Sequence, residues 1–268
     1  MKTLAFVNFK GGVAKTTTVV NLGAALAALG QRVLLVDCDP QAHIAAHLGM
    51  AQAEIEEGLE DVLRGKNGRV RDIALATAHK NLFLAPSTNA LAQCRGELAE
   101  RTHREGILRR ALRGLESEVD LVLIDSPPDE GILSVNAIYA SDAFVVPTTL
   151  SSFSVGGVPK VLGIVESLRE LYERDWPLLG VLVCAYDRRT SLMNRRSEEL
   201  LAGLVGDLVF DTRVRIDESV KKAQDAGSTL LGYEQATECP SKAAADYGAL
   251  AEELVGLLNT RQLTGVAV

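Results

Sequence analysis

Phe9-Lys10-Gly11-Gly12-Val13-Ala14-Lys15-Thr16-Thr17-Thr18 decides how this chain folds, because an apolar run, Thr3 to Asn8, leads into it and a helical pattern opens at Lys15. A strand that turns through a glycine pair into a helix lines up successive backbone N–H groups at a helix N-terminus. Those donors and the positive end of the helix dipole cradle phosphate oxygens, and a lysine beside them supplies a mobile charge for the outer ones. Lys15 is that lysine, and Thr16 follows with a hydroxyl placed to ligate Mg²⁺. The strict pattern G-x-x-x-x-G-K-[ST] fails at both glycines, which are Phe9 and Ala14 here. If residue 14 takes a positive φ, its methyl costs about 1 kcal/mol; nucleotide binding survives that cost, while the hydrolysis rate is put in question.

Working outward, Val33-Leu34-Leu35-Val36-Asp37-Cys38-Asp39-Pro40-Gln41 ends an apolar strand, Arg32–Asp37, with two aspartates one residue apart. Residues two apart on a strand share a face, so both acids can point toward the phosphates. Leu121-Val122-Leu123-Ile124-Asp125-Ser126-Pro127-Pro128 is a second apolar strand ending in an acid. A buried aspartate with neither metal nor basic partner is costly. Asp125 is therefore expected to hold Mg²⁺ through a water, since that ion keeps several waters and takes few carboxylates.

Strand-like and helical runs alternate along the chain, which marks parallel strands joined by crossover helices. Further strands are expected at Leu82–Ala85, Ala143–Pro147, Leu178–Ala185 and Leu208–Phe210. Helices are expected from Lys15 to Leu29, stopped by Gly30, at Arg104–Leu115, and near 131–139, 154–173, 190–202 and 241–258. Ala51–Gly68 reads as a polar, mobile segment. The fold class this predicts is α/β: a single doubly wound, mostly parallel sheet flanked by helices, of the P-loop NTPase type, with one domain over 1–258 and a tail over 259–268. Ligands of such sheets bind at the carboxyl ends of the strands, where the acidic motifs fall.

The 268 residues, 47% hydrophobic and 24% charged, suit a globular protein with one sizeable core. No apolar run reaches the ~18–20 residues of a membrane span, and the chain opens directly into a strand, so a cytosolic protein is expected. The four cysteines, Cys38, Cys94, Cys184 and Cys239, are too scattered for a disulfide framework or zinc ribbon and read as buried, inert thiols. His43 and His47 are spaced to share a helix face but lack an evident third metal ligand.

The string K-G-G-x-x-K-T-[ST], with Lys10 ahead of the glycine pair, resembles the deviant Walker A loop of the ParA/MinD ATPases. Asp37-Cys38-Asp39-Pro40-Gln41 resembles the family's switch I, and Ile124-Asp125-Ser126-Pro127-Pro128 its Walker B and switch II; Ser126 replaces the commoner Ala or Cys. Tyr186-Asp187-Arg188-Arg189-Thr190 and Val214-Arg215-Ile216-Asp217, followed by Ala223 and Gly227, resemble later ParA motifs, so the likeness spans about residues 1–258. The short, Soj-like form is the best match.

The resemblance implies an ATP hydrolase that uses ATP and Mg²⁺, weak alone and stimulated by a partner. It implies phosphate contacts from Lys10, Gly11, Gly12, Val13, Ala14, Lys15, Thr16 and Thr17, and Mg²⁺ held by Thr16, Asp37 and Asp125. Lys10, Lys15 and Asp39 are the implied catalytic residues: Lys10 reaches the ATP of a second subunit in a homodimer, and Asp39 positions the attacking water. The implied role is DNA segregation, with nonspecific double-stranded DNA and a ParB-like centromere-binding protein as partners and a nucleoid-associated location. Net charge is −7, yet 186–222, counting Arg213, carries eight basic residues against seven acids and is locally slightly basic; Arg188, Arg189, Arg195, Arg196, Arg215, Lys221 and Lys222 are the candidate DNA contacts. A cargo-positioning ParA-like ATPase shares every motif. A MinD-like septum-site ATPase on the membrane would need an amphipathic basic tail, whereas Leu257–Val268 carries one charge.

Overall fold

The computed structural model describes residues 1–65 and 68–260. Eight strands, β1 (Lys2–Phe6), β2 (Val33–Asp37), β3 (Leu75–Ala76), β4 (Leu82–Ala85), β5 (Leu121–Asp125), β6 (Ala143–Thr148), β7 (Leu178–Tyr186) and β8 (Val209–Arg215), form one sheet in the order β3-β4-β2-β5-β1-β6-β7-β8. All neighbouring pairs are parallel except β3 with β4. The helices among the described residues are α1 (Lys15–Ala28), α2 (His43–His47), α3 (Leu59–Arg64), α4 (Leu91–Ala99), α5 (Ile107–Ala111), α6 (Ile132–Ala140), α7 (Ser152–Val155), α8 (Val158–Tyr172), α9 (Ser191–Val205), α10 (Glu218–Asp225), α11 (Leu230–Thr237) and α12 (Lys242–Thr260).

Helices cover both faces, so the central strands are apolar throughout. In β2 all five residues are buried, with Leu34 and Val36 facing one core and Val33 and Leu35 the other, as the two-residue pleat requires. The first core takes side chains from α3, α4, α5, α6, α8 and α9, and the second from α1, α2, α11 and α12, with Ala223 of α10. Gly30, at φ 89°, ends α1: its N–H donates to Ala27 and that of Gln31 to Leu26, so the left-handed residue closes the last turn.

Several expected elements differ. Ala51–Gly68 holds a 3₁₀ turn and α3, and Leu59, Val62 and Leu63 anchor it in the core. The single helix expected over Arg104–Leu115 is a 3₁₀ turn, Arg104–Gly106, followed by the short α5. The helix expected over 154–173 is broken at Gly156-Gly157, and α8 restarts at Val158 with Pro159 in its first turn, where its missing N–H is harmless. The last strand runs five residues further than Phe210 before α10 begins. Cys38, Cys94 and Cys184 are buried but Cys239 is exposed. The tail of 259–268 is described only through Thr260, the end of α12, so the amphipathicity of 261–268 lies outside the described residues.

Candidate active site

Strands β2, β5 and β1 lie side by side, and their register sets Asp37 opposite Asp125 and Asp125 opposite Phe6. The sequence after Phe6 is the glycine loop, so two acids and the loop converge at one carboxyl edge of the sheet. Thr16 sits in the first turn of α1, and its hydroxyl donates to Asp125 Oδ2 at 2.6 Å. Asp125 Oδ1 is buried with no hydrogen-bond partner.

The loop has the backbone of a phosphate cradle. Gly12 has φ 76°, and Ala14 is left-handed at φ 64°, ψ 29°, so the methyl strain anticipated there is present. A Cβ on Gly11 or Gly12 would meet no protein atom within 4 Å; packing does not dictate these glycines, and the open space suits close approach of a phosphate. Lys15 is buried, and its Nζ donates to the Asn8 carbonyl at 2.9 Å and to that of Lys10 at 3.5 Å. Burial lowers its pKa, and the charges of Asp125, Asp39 and Asp129 oppose that shift.

Asp37 Oδ1 and Oδ2 accept the amides of Asp39 and Ile44 at 3.0 and 3.2 Å, which ties the strand end to the start of α2. Burial pushes its carboxyl well above the usual carboxylate range, and the charge of Asp125 adds to the shift. Asp125 is pushed up to about 7, chiefly by burial, although the Thr16 hydroxyl and Lys15 act the other way. Asp39 Oδ1 accepts the Gln41 amide at 3.0 Å, and its carbonyl accepts from the Ser87 hydroxyl. Ser126 satisfies its extra hydroxyl by donating to the Phe6 carbonyl at 2.9 Å.

These residues fit a magnesium–triphosphate group. An orphaned buried carboxylate oxygen beside a threonine hydroxyl calls for a cation or its water. Lys15, held only by carbonyls, is free to exchange them for phosphate oxygens. Among the described residues no three His, Cys, Asp or Glu side chains close into a metal cage, and Mg²⁺, which keeps most of its waters, does not need one. His47 is held neutral by burial and by His43, with its pKa lowered to about 4. A cavity of about 710 Å³ lies to one side, lined by Arg95, Gly131, Leu171 and Tyr172 among others, and contains no residue of the phosphate loop.

Sequence reading missed Asn8. It is fully buried at the end of an apolar strand, and its amide donates to the Pro147 carbonyl while its Oδ1 accepts the Lys10 amide. A polar residue closing an apolar run was the available signal. Gln224, whose amide donates to the Thr17 hydroxyl at 3.2 Å, had none.

The basic residues of 186–222 divide into different roles. Arg188, Arg195, Arg196 and Lys221 are exposed. The Arg189 guanidinium is paired with Asp187 yet 86% exposed, and Lys222 lies 3.8 Å from Glu218. Arg215 forms a two-pronged pair with Asp246, 2.6 Å at its shortest, that fastens β8 to α12. No described helix is long and apolar enough to cross a membrane.

Comparison with known proteins agrees with this arrangement. The AAA domain family matches residues 1–176. The chain is 37% identical over 233 residues to the sporulation initiation inhibitor protein Soj of Bacillus subtilis, covering 87% of this chain and 91% of that protein. It is 35% identical over 264 residues to the chromosome partitioning protein ParA of Caulobacter vibrioides, covering 98% and 97%. Among solved structures, apo McdA of Cyanothece superposes with a TM-score of 0.83 at 26% identity over 96% of this chain and 99% of that one. Cobyrinic acid a,c-diamide synthase of Mycobacterium smegmatis, solved with an ATP analogue and magnesium, superposes with a TM-score of 0.81 at 30% identity over 100% of both chains. At these identities over most of both chains, the chain belongs to the ParA/Soj family of P-loop ATPases.

Proposed function

We propose that this protein is a ParA-type ATPase of DNA segregation, in which Mg·ATP closes a sandwich dimer that binds DNA without sequence preference. The observation that carries the nucleotide reading is the buried, partnerless Asp125 Oδ1 beside the Thr16 hydroxyl, in front of a loop whose lysine is held only by carbonyls. Lys10, Gly11, Gly12, Val13, Ala14, Lys15, Thr16 and Thr17 would surround the phosphates, with Thr16, Asp37 and Asp125 as the direct or water-bridged metal shell. Bound Mg²⁺ supplies neutralisation of the β- and γ-oxygens. Lys15 leaves the Asn8 carbonyl for those oxygens, Asp39 orients the attacking water, and Lys10 stabilises charge on the nucleotide of the second copy. No covalent nucleophile is required.

Arg188, Arg189, Arg195, Arg196, Lys221 and Lys222 offer the exposed charge for phosphate backbones, and pairing of two copies doubles it, so that weak contacts gain avidity. Release follows hydrolysis stimulated by a ParB-like protein, which gives the chain a cytoplasmic, nucleoid-associated cycle. Retention on nonspecific DNA with ATP, ADP and no nucleotide tests the switch: retention with ATP alone is expected, and equal retention in all three states sinks it.

A further inference from the structure

Phe153 is 83% exposed, although a phenylalanine ring ordinarily contributes to stability by leaving water. It sits in the single turn of α7, and that turn is built with care. Ser151 Oγ accepts the Ser154 amide, Thr149 Oγ1 donates to Ser154 Oγ at 2.8 Å, and the neighbouring Val155 is fully buried. The ring is thus held outward by a fixed piece of backbone. Over it lies the ammonium of Lys10, 5.1 Å from the ring centroid. That ammonium has no carboxylate partner among the described residues.

The two segments are also locked to each other. The Asn8 side chain donates to Pro147 at the end of β6 and accepts the Lys10 amide, so it pins the start of the loop to the strand that feeds α7. Gly157 leaves room for it, since a Cβ there would stand 3.0 Å from Asn8 Oδ1. Lys10 and Phe153 therefore face each other because the backbone on both sides is fixed.

The geometry points to Phe153 as a positioning residue that seats Lys10 on its own protomer, a cation–π latch that must open before Lys10 can reach a nucleotide held by a second copy. The latch rests on the ATP-dependent dimer proposed above only for its consequence; the seat itself belongs to the single chain. An exposed cation–π contact corresponds to about a two- to fivefold bias in an equilibrium.

The test uses the full chain with isotope-labelled lysine, the Lys10 signals being assigned by their loss in Lys10→Arg. In nucleotide-free protein the Lys10 Cε protons are expected upfield, under the ring current, in the wild type and in Phe153→Tyr, and at the ordinary position in Phe153→Leu. Because the ring is exposed, Phe153→Leu should leave the melting temperature unchanged. With Mg²⁺ and a non-hydrolysable ATP analogue, Phe153→Leu should self-associate at a concentration lower by about four- to twenty-fivefold in sedimentation velocity, because both copies must release Lys10. Identical Lys10 signals in wild type and Phe153→Leu would overturn the seat. Weaker association of Phe153→Leu would overturn the latch, because the ring would then be a contact with the second copy. Ring-shifted Lys10 signals with no association in any variant would instead overturn the dimer reading and uphold the seat.

Discussion

At Asp125 one carboxylate oxygen accepts a short bond from Thr16 while the other is buried with no donor, and the group's pKa stands at about 7 against an ordinary 3.8. A carboxyl raised in the folded state contributes its full stability only below its unfolded value, and that contribution is lost as pH rises through the folded value. The metal-free protein should therefore lose stability between about pH 4 and pH 7 at this residue. Asp125→Asn keeps an acceptor for the Thr16 hydroxyl and removes the charge. In metal-free protein at pH 8 it should raise stability by about 2 kcal/mol, or roughly 4–8 °C in melting temperature. The gain should fade at pH 4, and the stabilisation by Mg·ATP should vanish; melts across that range with and without Mg·ATP measure all three. At Ala14, Ala14→Gly relieves about 1 kcal/mol of left-handed strain and adds a comparable chain entropy to the unfolded state. Its melting temperature should stay within about 2 °C of the wild type, and a nucleotide titration should show affinity undiminished.

Among the elements, the join between α2 and the turn after α10 leaves no room for a side chain. A Cβ on Gly49 would lie 2.6 Å from the Gly227 carbonyl oxygen, and both glycines are left-handed, at φ 71° and 61°. Since α2 begins just past Asp37 and Asp39, this backbone contact ties the acidic segment to the helix that carries Lys221, Lys222 and Gln224. Gly49→Ala adds both a clash and backbone strain, so a loss of about 2–3 kcal/mol is expected, read as a fall of roughly 4–12 °C in a thermal melt. An unchanged melt would mean that the two segments part without cost. Nothing in the sequence announces this contact, because it joins short elements 178 residues apart. The same limit hid β3, a two-residue strand, and the split of α7 from α8. What was legible followed from continuous runs: β2 and β5 are apolar up to their closing acids and β1 leads into the apolar run Leu4–Val7, and buried strands with covered faces leave that mark in any sequence. The site was legible to the same degree. Lys15, Thr16 and Asp125 meet because adjacent strands end level, whereas the Arg215–Asp246 pair and the Phe153 seat depend on tertiary placement that periodicity does not encode.

For the molecule as a whole, a net charge of −7 opposes any polyanion, so DNA binding requires that the basic residues act where the acids do not. Helix α9 packs into the first core beside β8 and Ala223 of α10 into the second, so the two helices lie on opposite faces of the sheet. Arg195 and Arg196 are exposed on α9, and no ion pair involving them is recorded among the described residues. Replacing both with alanine should leave the melting temperature and the DNA-free ATPase rate unchanged, since neither side chain touches the core or the phosphate loop. If the proposed dimer binds DNA through these residues, the double variant would delete up to four phosphate contacts, so the plot of log affinity against log salt should flatten by as much as about 3.6 units of slope. Arg215→Ala separates surface charge from architecture. Loss of its pair with Asp246 should lower the melting temperature, and if the guanidinium serves only the protein interior, the salt slope should remain that of the wild type. A double variant with an unaltered slope would count against α9 as the proposed DNA surface and leave Arg188, just past β7, and Lys221 and Lys222, on α10, as the remaining candidates.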